Sequence, residues 1–143
     1  MRFWDSSAVV PLIIEQTTSP ETDRWFSEDG QLAVWTVTSV EVVSAIRRLW
    51  REGAIAEPAA DVAEARVDEM VHAAHVVVDV EAVKVQAQRL LRLHPLRAAD
   101  ALQLGAALEW ARNRPAGRVF HTFDGRLGLA SHREGFRVIP TIG

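Results

Sequence analysis

The sequence predicts an α/β fold of three layers, in which helices flank a central parallel sheet of four to five strands. Short apolar runs of strand length alternate with segments whose apolar residues recur at the helical period. The runs are apolar on successive residues, as in strands buried on both faces. No internal repeat or linker-like stretch interrupts this alternation, so residues 1–143 are expected to form a single domain.

The first half of the chain alternates short apolar runs with segments opened by helix-starting residues. Ser6 and Ser7 are candidate N-caps, and Pro11 is tolerated near the start of a helix. Gly53 is a helix-ending residue. The predicted strands are residues 2–4 and 31–36, and the predicted helices run from Ser7 or Ala8 to Ile14, from Ser19 past Phe26, from Thr38 to Gly53, and from Pro58 to about Ala74.

The second half repeats the pattern and ends on a strand. A loop rich in Pro, Gly and Asn at residues 113–117 separates a long apolar helix from the fourth strand. The predicted strands are residues 76–79, 118–123 and 135–140, and the predicted helices run over residues 82–93, from near Leu96 through Leu108, and over residues 127–133.

Composition restricts the possible chemistry. The chain has no cysteine, which excludes disulfides, thiolate zinc sites and thiol catalysis. No secretory signal pattern and no apolar run near 18 residues is present, so a cytoplasmic protein without membrane spans is expected. The net charge is −3, and Lys84 is the only lysine beside many arginines. Arginine suits phosphate contacts, although arginine-rich codon usage also explains the composition and is the favoured explanation from composition alone.

Asp100 lies in an early turn of an almost wholly apolar predicted helix, among alanines and leucines. A buried ionised carboxylate needs a partner, which is a cation, a set of backbone donors or a bound metal. The local alternative is an ion pair with Arg97, one turn earlier. We favour a functional site at Asp100 over that alternative, because helix interiors rarely place an aspartate in such surroundings.

Three further acids are expected at the same edge of the sheet. Asp5 and Asp124 directly follow predicted strands, and Glu41 lies in the first turn of the helix after the second strand. Ligands of open parallel sheets bind at the carboxyl ends of the strands. Converging carboxylates repel one another unless a cation neutralises them. Oxygen-only ligation favours Mg²⁺ or Mn²⁺, the ions that support phosphodiester cleavage.

Each of these acids also has a local structural interpretation. Asp5 is a possible cap of the first helix, and Asp124 before Gly125 is a common turn pair. Thr38-x-x-Glu41 matches a capping box, which is the favoured interpretation of Glu41 taken alone. The four acids together are harder to explain locally than any one of them.

Four segments in order resemble the PIN-domain family, and specifically the VapC-type toxin ribonucleases of bacterial toxin–antitoxin pairs. The matching segments, which span essentially the full chain, are Phe3-Trp4-Asp5-Ser6-Ser7-Ala8, Ser39-Val40-Glu41-Val42-Val43-Ser44-Ala45, Leu96-Arg97-Ala98-Ala99-Asp100-Ala101-Leu102-Gln103-Leu104 and His121-Thr122-Phe123-Asp124-Gly125-Arg126-Leu127 followed by Glu134-Gly135-Phe136. Each segment is weak evidence alone, and four at domain-wide spacing are specific.

The resemblance implies a Mg²⁺- or Mn²⁺-dependent endoribonuclease of a type II toxin–antitoxin system with a PIN-like fold. It implies that Asp5, Glu41, Asp100 and Asp124 form the catalytic, metal-binding cluster and that Ser6 and Thr122 are supporting hydroxyls. It also implies a homodimer and a cognate VapB-type antitoxin, with structured or single-stranded RNA as substrate.

Other residues have two interpretations each. The candidate RNA-binding residues, which could instead belong to a solvated helix face, are Arg97, Arg47, Arg48 and Arg51. The candidate groove residues for the antitoxin, with core packing as the alternative, are Trp25, Phe26 and Trp50.

Phosphatase and receiver domains also place acids at strand ends. The second acid that each class needs is absent here, and Ser7 stands at the phosphatase position. A catalytically weak RNA-binding or antitoxin-binding module of the same fold stays open.

Overall fold

Five strands and seven helices form the described part of the computed structural model, residues 1–141. The strands are β1 (Arg2–Trp4), β2 (Leu32–Trp35), β3 (His75–Val77), β4 (Val119–His121) and β5 (Arg137–Ile139). The helices are α1 (Ser6–Ile13), α2 (Ser19–Glu28), α3 (Thr38–Arg51), α4 (Glu57–Ala73), α5 (Val80–Leu93), α6 (Ala98–Trp110) and α7 (Gly125–Glu134). Every predicted element is present. Within residues 1–141, no helix has both the length and the apolar character that crossing a membrane requires.

The sheet is entirely parallel, with strand order β3-β2-β1-β4-β5. β1 is central, and Phe3 pairs with Ala33 of β2 on one side and with Phe120 of β4 on the other. The order of the strands reverses between β1 and β4, and open α/β sheets bind ligands beside such a reversal. Asp5 follows β1 and Thr122 follows β4 at this point.

Side chains of successive strand residues point to opposite faces and give the domain two cores. Phe3 packs with α5, α6 and α7 on one face, whereas Trp4 packs with α1 to α4 on the other. Both side chains are completely buried. The three-layer α/β prediction is therefore confirmed, and the strands are apolar on successive residues because both faces are covered.

The start of α1 differs from the prediction. Ser6 is the first helical residue, and Asp5 is the N-cap, its carboxylate accepting a hydrogen bond from the Ser7 backbone N–H at 3.3 Å. The expectation that Ser6 or Ser7 caps the helix is wrong. An aspartate at the end of β1 offers the same acceptor one residue earlier, and the helix begins there.

His121 on β4 is a completely buried histidine in an aromatic cluster. Its ring stacks on Trp25 with centroids 4.3 Å apart and lies 4.5 Å from Trp4. Nδ1 lies 3.0 Å from the Ile139 carbonyl oxygen and therefore donates to it, which leaves Nε2 to accept from the Arg2 guanidinium at 3.4 Å. Burial lowers the pKa of His121 to about 4, so the folded protein holds the neutral ring.

We expect acidification to destabilise the wild-type protein by about 3 kcal/mol more than a His121→Phe variant. The folded-state pKa of His121 lies below the ordinary 6.5. As the pH falls below about 6.5, the unfolded chain therefore takes up the proton first, and unfolding becomes more favourable until about pH 4. Urea unfolding at about pH 7.5 and about pH 4.5 measures the difference. Equal pH dependence in both proteins would contradict it.

Candidate active site

The four predicted acids lie at one rim of the sheet, supplied by four separate elements. Asp5 follows β1, Asp124 follows β4, and Glu41 and Asp100 lie in the first turns of α3 and α6. Their charges act on one another. Burial is the largest cause that raises the pKa of Glu41 and the pKa of Asp100. The charges of Asp5 and Asp100 also raise the pKa of Glu41, and the charges of Asp124 and Asp5 also raise the pKa of Asp100.

Asp5 is the most buried of these acids, with 3% of its surface exposed. Its Oδ2 accepts hydrogen bonds from the hydroxyls of Ser7 at 2.5 Å and Thr122 at 2.8 Å. Its Oδ1 has the Ser6 hydroxyl at 3.4 Å. Burial raises the pKa of Asp5, and the hydrogen bonds from Ser7 and Thr122 oppose that rise. One oxygen is thus anchored and the other only weakly engaged.

Thr122 and Ser7 join the ends of β4 and β1. The Thr122 hydroxyl donates to Asp5 and accepts from the Asp124 backbone N–H at 3.0 Å. The Ser7 hydroxyl accepts from the Phe123 backbone N–H at 2.9 Å. Thr122 and Ser6 were expected beside the acids from the sequence, whereas Ser7 was not. Its position two residues after Asp5 was the available signal.

Glu41 does not form the capping box that its spacing from Thr38 suggested. The N-cap residue of α3 is Val37, and no side-chain cap hydrogen bond forms there among residues 1–141. Instead, Glu41 Oε1 accepts a hydrogen bond from Gln103 Nε2 at 2.6 Å, and Oε2 lies 3.4 Å from the Ser6 hydroxyl. The Thr38 hydroxyl is itself engaged by Gln103 at 3.0 Å. The capping-box interpretation is wrong because α6 supplies a competing partner for both residues.

Asp100 is half-buried, and its carboxylate accepts no hydrogen bond and forms no ion pair within residues 1–141. Burial raises its pKa, and so do the charges of Asp124 and Asp5. Arg97 lowers the pKa through its charge alone, without a salt bridge. The alternative of an Arg97–Asp100 ion pair is therefore not realised, and Asp100 is left among like charges.

Asp124 serves as the N-cap of α7. Its Oδ1 accepts from the Leu127 backbone N–H at 3.0 Å. The sequence suggested a turn pair with Gly125, whereas Gly125 is already helical and Asp124 caps the helix. The charge of the same carboxylate also acts on Asp100. A single residue both starts the helix and faces the acidic rim.

The carboxylates provide an oxygen-rich but open set of ligands. Asp5 and Glu41 each have one oxygen held by a donor at 2.8 Å or less, and the hydroxyl of Ser6 stands 3.4 Å from the other oxygen of both. Among residues 1–141, no three acidic or histidine side chains are close enough to form a ready coordination shell. The oxygen donors fit a hard divalent cation, but the carboxylates are farther apart than in a preformed metal site.

Gln103 is the second residue that the sequence analysis missed. It is completely buried on α6, three residues after Asp100. A polar side chain in an apolar helix needs a partner for the same reason as Asp100 does, and this argument was the available signal.

The four candidate arginines separate into two kinds. Arg47 forms salt bridges with Asp61 and Glu64 of α4, so its guanidinium is already engaged by two carboxylates. Arg48, Arg51 and Arg97 are exposed and pair with no carboxylate in the described part of the chain. Arg48 and Arg97 line clefts beside the acids, whereas Arg51 lies at the end of α3.

The three candidate groove aromatics do not share a surface. Trp25 is 2% exposed and stacks on His121 and Phe123, so the core-packing alternative applies to it. Trp50 lies at the end of α3 with the Arg47 guanidinium 5.3 Å above its ring. Phe26 is 49% exposed and lines an apolar groove of about 450 Å³ with Leu12 and Met70. The expectation of one groove built from all three is wrong.

Two solved structures resemble this chain over nearly its whole length. PAE2754 from Pyrobaculum aerophilum has a TM-score of 0.64 and 20% sequence identity, covering 96% of this chain and 88% of its own. FitAcB from Neisseria gonorrhoeae has a TM-score of 0.66 and 12% identity, covering 96% of both chains. No family model matches the sequence, and no curated protein matches it significantly. Likeness at these identities shows the fold, which is the PIN-like α/β fold expected from the sequence.

Proposed function

We propose that this chain is a Mg²⁺- or Mn²⁺-dependent endoribonuclease that acts as the toxin of a type II toxin–antitoxin system. The observation that carries the proposal is the convergence of Asp5, Glu41, Asp100 and Asp124 on one rim. Besides burial, the charges of Asp5 and Asp100 raise the pKa of Glu41, and the charges of Asp124 and Asp5 raise the pKa of Asp100. Such an arrangement is unfavourable for the fold alone and favourable for a bound cation. The PIN-like fold and the resemblance of the four motifs to VapC-type toxins supply the reaction class and the expectation of an antitoxin.

Within this proposal, the four acids hold the metal and the remaining polar residues hold the acids. Bound Mg²⁺ or Mn²⁺ supplies Lewis-acid stabilisation of the phosphate and a water that is more easily deprotonated. Thr122 and Ser7 fix one oxygen of Asp5 through hydrogen bonds of 2.8 and 2.5 Å. The buried side of the rim keeps Asp5 away from bulk water, which strengthens its interaction with any cation.

Two clefts beside the acids provide a path for an RNA strand. One, of about 420 Å³, is lined by Ser6, Glu41 and Arg48 among others. The other, of about 660 Å³, is lined by Arg97, Ala99, Asp100, Asp124, Gly125 and Arg126. Within residues 1–141 these arginines form no salt bridge, so their guanidinium groups are available to phosphates on both sides of the scissile bond.

Arg126 is expected to bind an RNA phosphate, and Arg133 of the same helix is not. Arg126 lines the acidic cleft, whereas Arg133 is an exposed residue in the last turn of α7. Arg126→Gln should weaken RNA binding several-fold and reduce the salt dependence of log K by about 1, because one phosphate contact is lost. Titrations in an Asp100→Asn background measure binding without cleavage. Equal effects of Arg126→Gln and Arg133→Gln would contradict the prediction.

Calorimetric titration of Mn²⁺ into the wild-type protein and into a folded Asp100→Asn variant tests the proposed function directly, without knowledge of the RNA target. We expect saturable binding to the wild-type protein and its loss in the variant. Identical weak binding to both would overturn the metal-dependent mechanism. A non-catalytic RNA-binding or antitoxin-binding module of the same fold would then be the better assignment.

A further inference from the structure

Gln103 is a buried amide in α6, a helix made mostly of apolar residues. Its exposure is 0%, and its neighbours on α6, Leu104 and Ala106, are also completely buried. Removing an amide from water is unfavourable unless its hydrogen bonds are made within the protein. The partners of Gln103 therefore show what this residue does in the fold.

Both partners lie in the first turn of α3. Gln103 Nε2 donates to Glu41 Oε1 at 2.6 Å and to Thr38 Oγ1 at 3.0 Å. The Thr38 hydroxyl lies 3.5 Å from Gln103 Oε1 in return. The contact with Glu41 is the shorter of the two, and it is charge-assisted when that carboxylate is ionised.

This contact selects one orientation of the Glu41 side chain. The local alternative, a capping box, would turn the carboxylate back toward the Thr38 backbone N–H. With Oε1 held by Gln103, Oε2 instead lies 3.4 Å from the Ser6 hydroxyl, which is also 3.4 Å from Asp5 Oδ1. Gln103 on one helical layer thus directs an acid of the other layer toward the rim between them.

We propose that Gln103 is a positioning residue of the acidic cluster, which keeps the Glu41 carboxylate turned toward Asp5 and thereby strengthens binding of a divalent cation. The inference rests on the proposed function, because it assumes that the cluster binds a metal. A purely structural role for Gln103 would need only the hydrogen bond with Thr38. The bond to Glu41 is the additional observation that links Gln103 to the site.

Gln103→Met tests the inference, because methionine has a similar length and no N–H. We expect the dissociation constant for Mn²⁺ to rise about 10-fold, as is typical when a residue that orients a metal ligand is lost. Thr38→Val is the matched control, since it removes the other hydrogen bond of the same amide and leaves the bond to Glu41. Its Mn²⁺ affinity should stay within about 2-fold of wild type.

An NMR titration of the wild-type protein with Mg²⁺ covers the case in which Gln103→Met does not fold. The side-chain amide signals of Gln103 should shift on Mg²⁺ binding. Gln86 lies away from the rim and donates to Glu109 Oε2 at 3.0 Å. Its side-chain amide signals should not shift. The comparison is matched because both amides donate to a glutamate.

The outcomes separate the two proposals. Loss of Mn²⁺ binding in Asp100→Asn, together with wild-type affinity in Gln103→Met or a stationary Gln103 amide, would overturn this inference alone. An equal loss of affinity in Thr38→Val would overturn it too, by showing a general structural effect. Wild-type binding in Asp100→Asn would overturn the proposed function and this inference with it.

Discussion

Asp100→Asn is expected to melt at a higher temperature than the wild-type protein in EDTA and at a lower temperature in excess Mn²⁺. Asp100 has no hydrogen-bond donor or ion-pair partner among the described residues, and the charges of Asp124 and Asp5 act against its ionised form. Asparagine keeps the shape of the side chain and removes the charge. Because solvent screens the repulsion at this half-exposed carboxylate, the gain without metal should be at most about 1 kcal/mol, or about 3 °C for a domain of this size.

Excess Mn²⁺ should reverse the order of the melting temperatures, so that the wild-type protein melts above Asp100→Asn. A ligand that binds only the folded state stabilises it by about 2.7 kcal/mol at 100 times its dissociation constant. The wild-type protein should gain that stabilisation, whereas the variant should not. Cleavage of RNA should fall about 1,000-fold or more, which corresponds to about 4 kcal/mol of transition-state stabilisation. The site would then be an example of stability sacrificed for function.

Glu109→Gln is the matched control for this prediction. Glu109 lies near the opposite end of the same helix, accepts a hydrogen bond from Gln86, and carries the same charge as Asp100. The substitution should leave cleavage and the response to Mn²⁺ unchanged. Lower stability of Asp100→Asn in EDTA would show that the Asp100 carboxylate is stabilised by the fold, and retained cleavage would show that the nuclease site is assigned wrongly.

Gly105→Leu is expected to prevent cooperative folding, and Gly105→Ala to cost about 1–3 kcal/mol. A Cβ at position 105 would lie 3.0 Å from the Val83 carbonyl oxygen and 3.3 Å from the Ala87 backbone nitrogen of α5. Backbone atoms of a packed helix cannot turn aside as a flexible side chain can. The clash should therefore exceed the gain of about 1 kcal/mol that alanine brings to a helix interior.

Gly125→Ala provides the contrasting case for this prediction. Gly125 is the first residue of α7, and a Cβ there would meet no heavy atom within 4 Å. Urea unfolding should show unchanged or slightly higher stability, by up to about 1 kcal/mol. A gain in stability for Gly105→Ala would contradict the close packing of α5 against α6 at this position.

The sequence alone determined the elements, their order and the edge of the sheet that carries the acids. The apolar runs of β1 and β2 are buried on both faces, so their composition required helices on each side. The convergence of Asp5, Glu41, Asp100 and Asp124 followed from a general rule, since the carboxyl ends of parallel strands share one edge. These are properties of each segment and of the regular arrangement that such segments adopt.

The hydrogen-bond partners within the site were decided only by the tertiary structure. Asp5 rather than Ser6 or Ser7 caps α1, and Glu41 pairs with Gln103 rather than with the backbone of Thr38. In each case the chain offers two partners whose hydrogen bonds differ by about 1 kcal/mol or less. The choice depends on which donor or acceptor the packing brings within hydrogen-bond distance.

The same reason explains the residues whose surroundings were mispredicted. Arg47 is held by two acids of α4, and Trp25 is covered by the strand that carries His121, although neither neighbour is near in sequence. Gln103 and Glu41 are 62 positions apart. The periodicity of apolar residues follows from the geometry of helices and strands, so a local stretch of sequence shows it. The burial and pairing of a single side chain depend on how distant segments pack, and no local pattern encodes that packing.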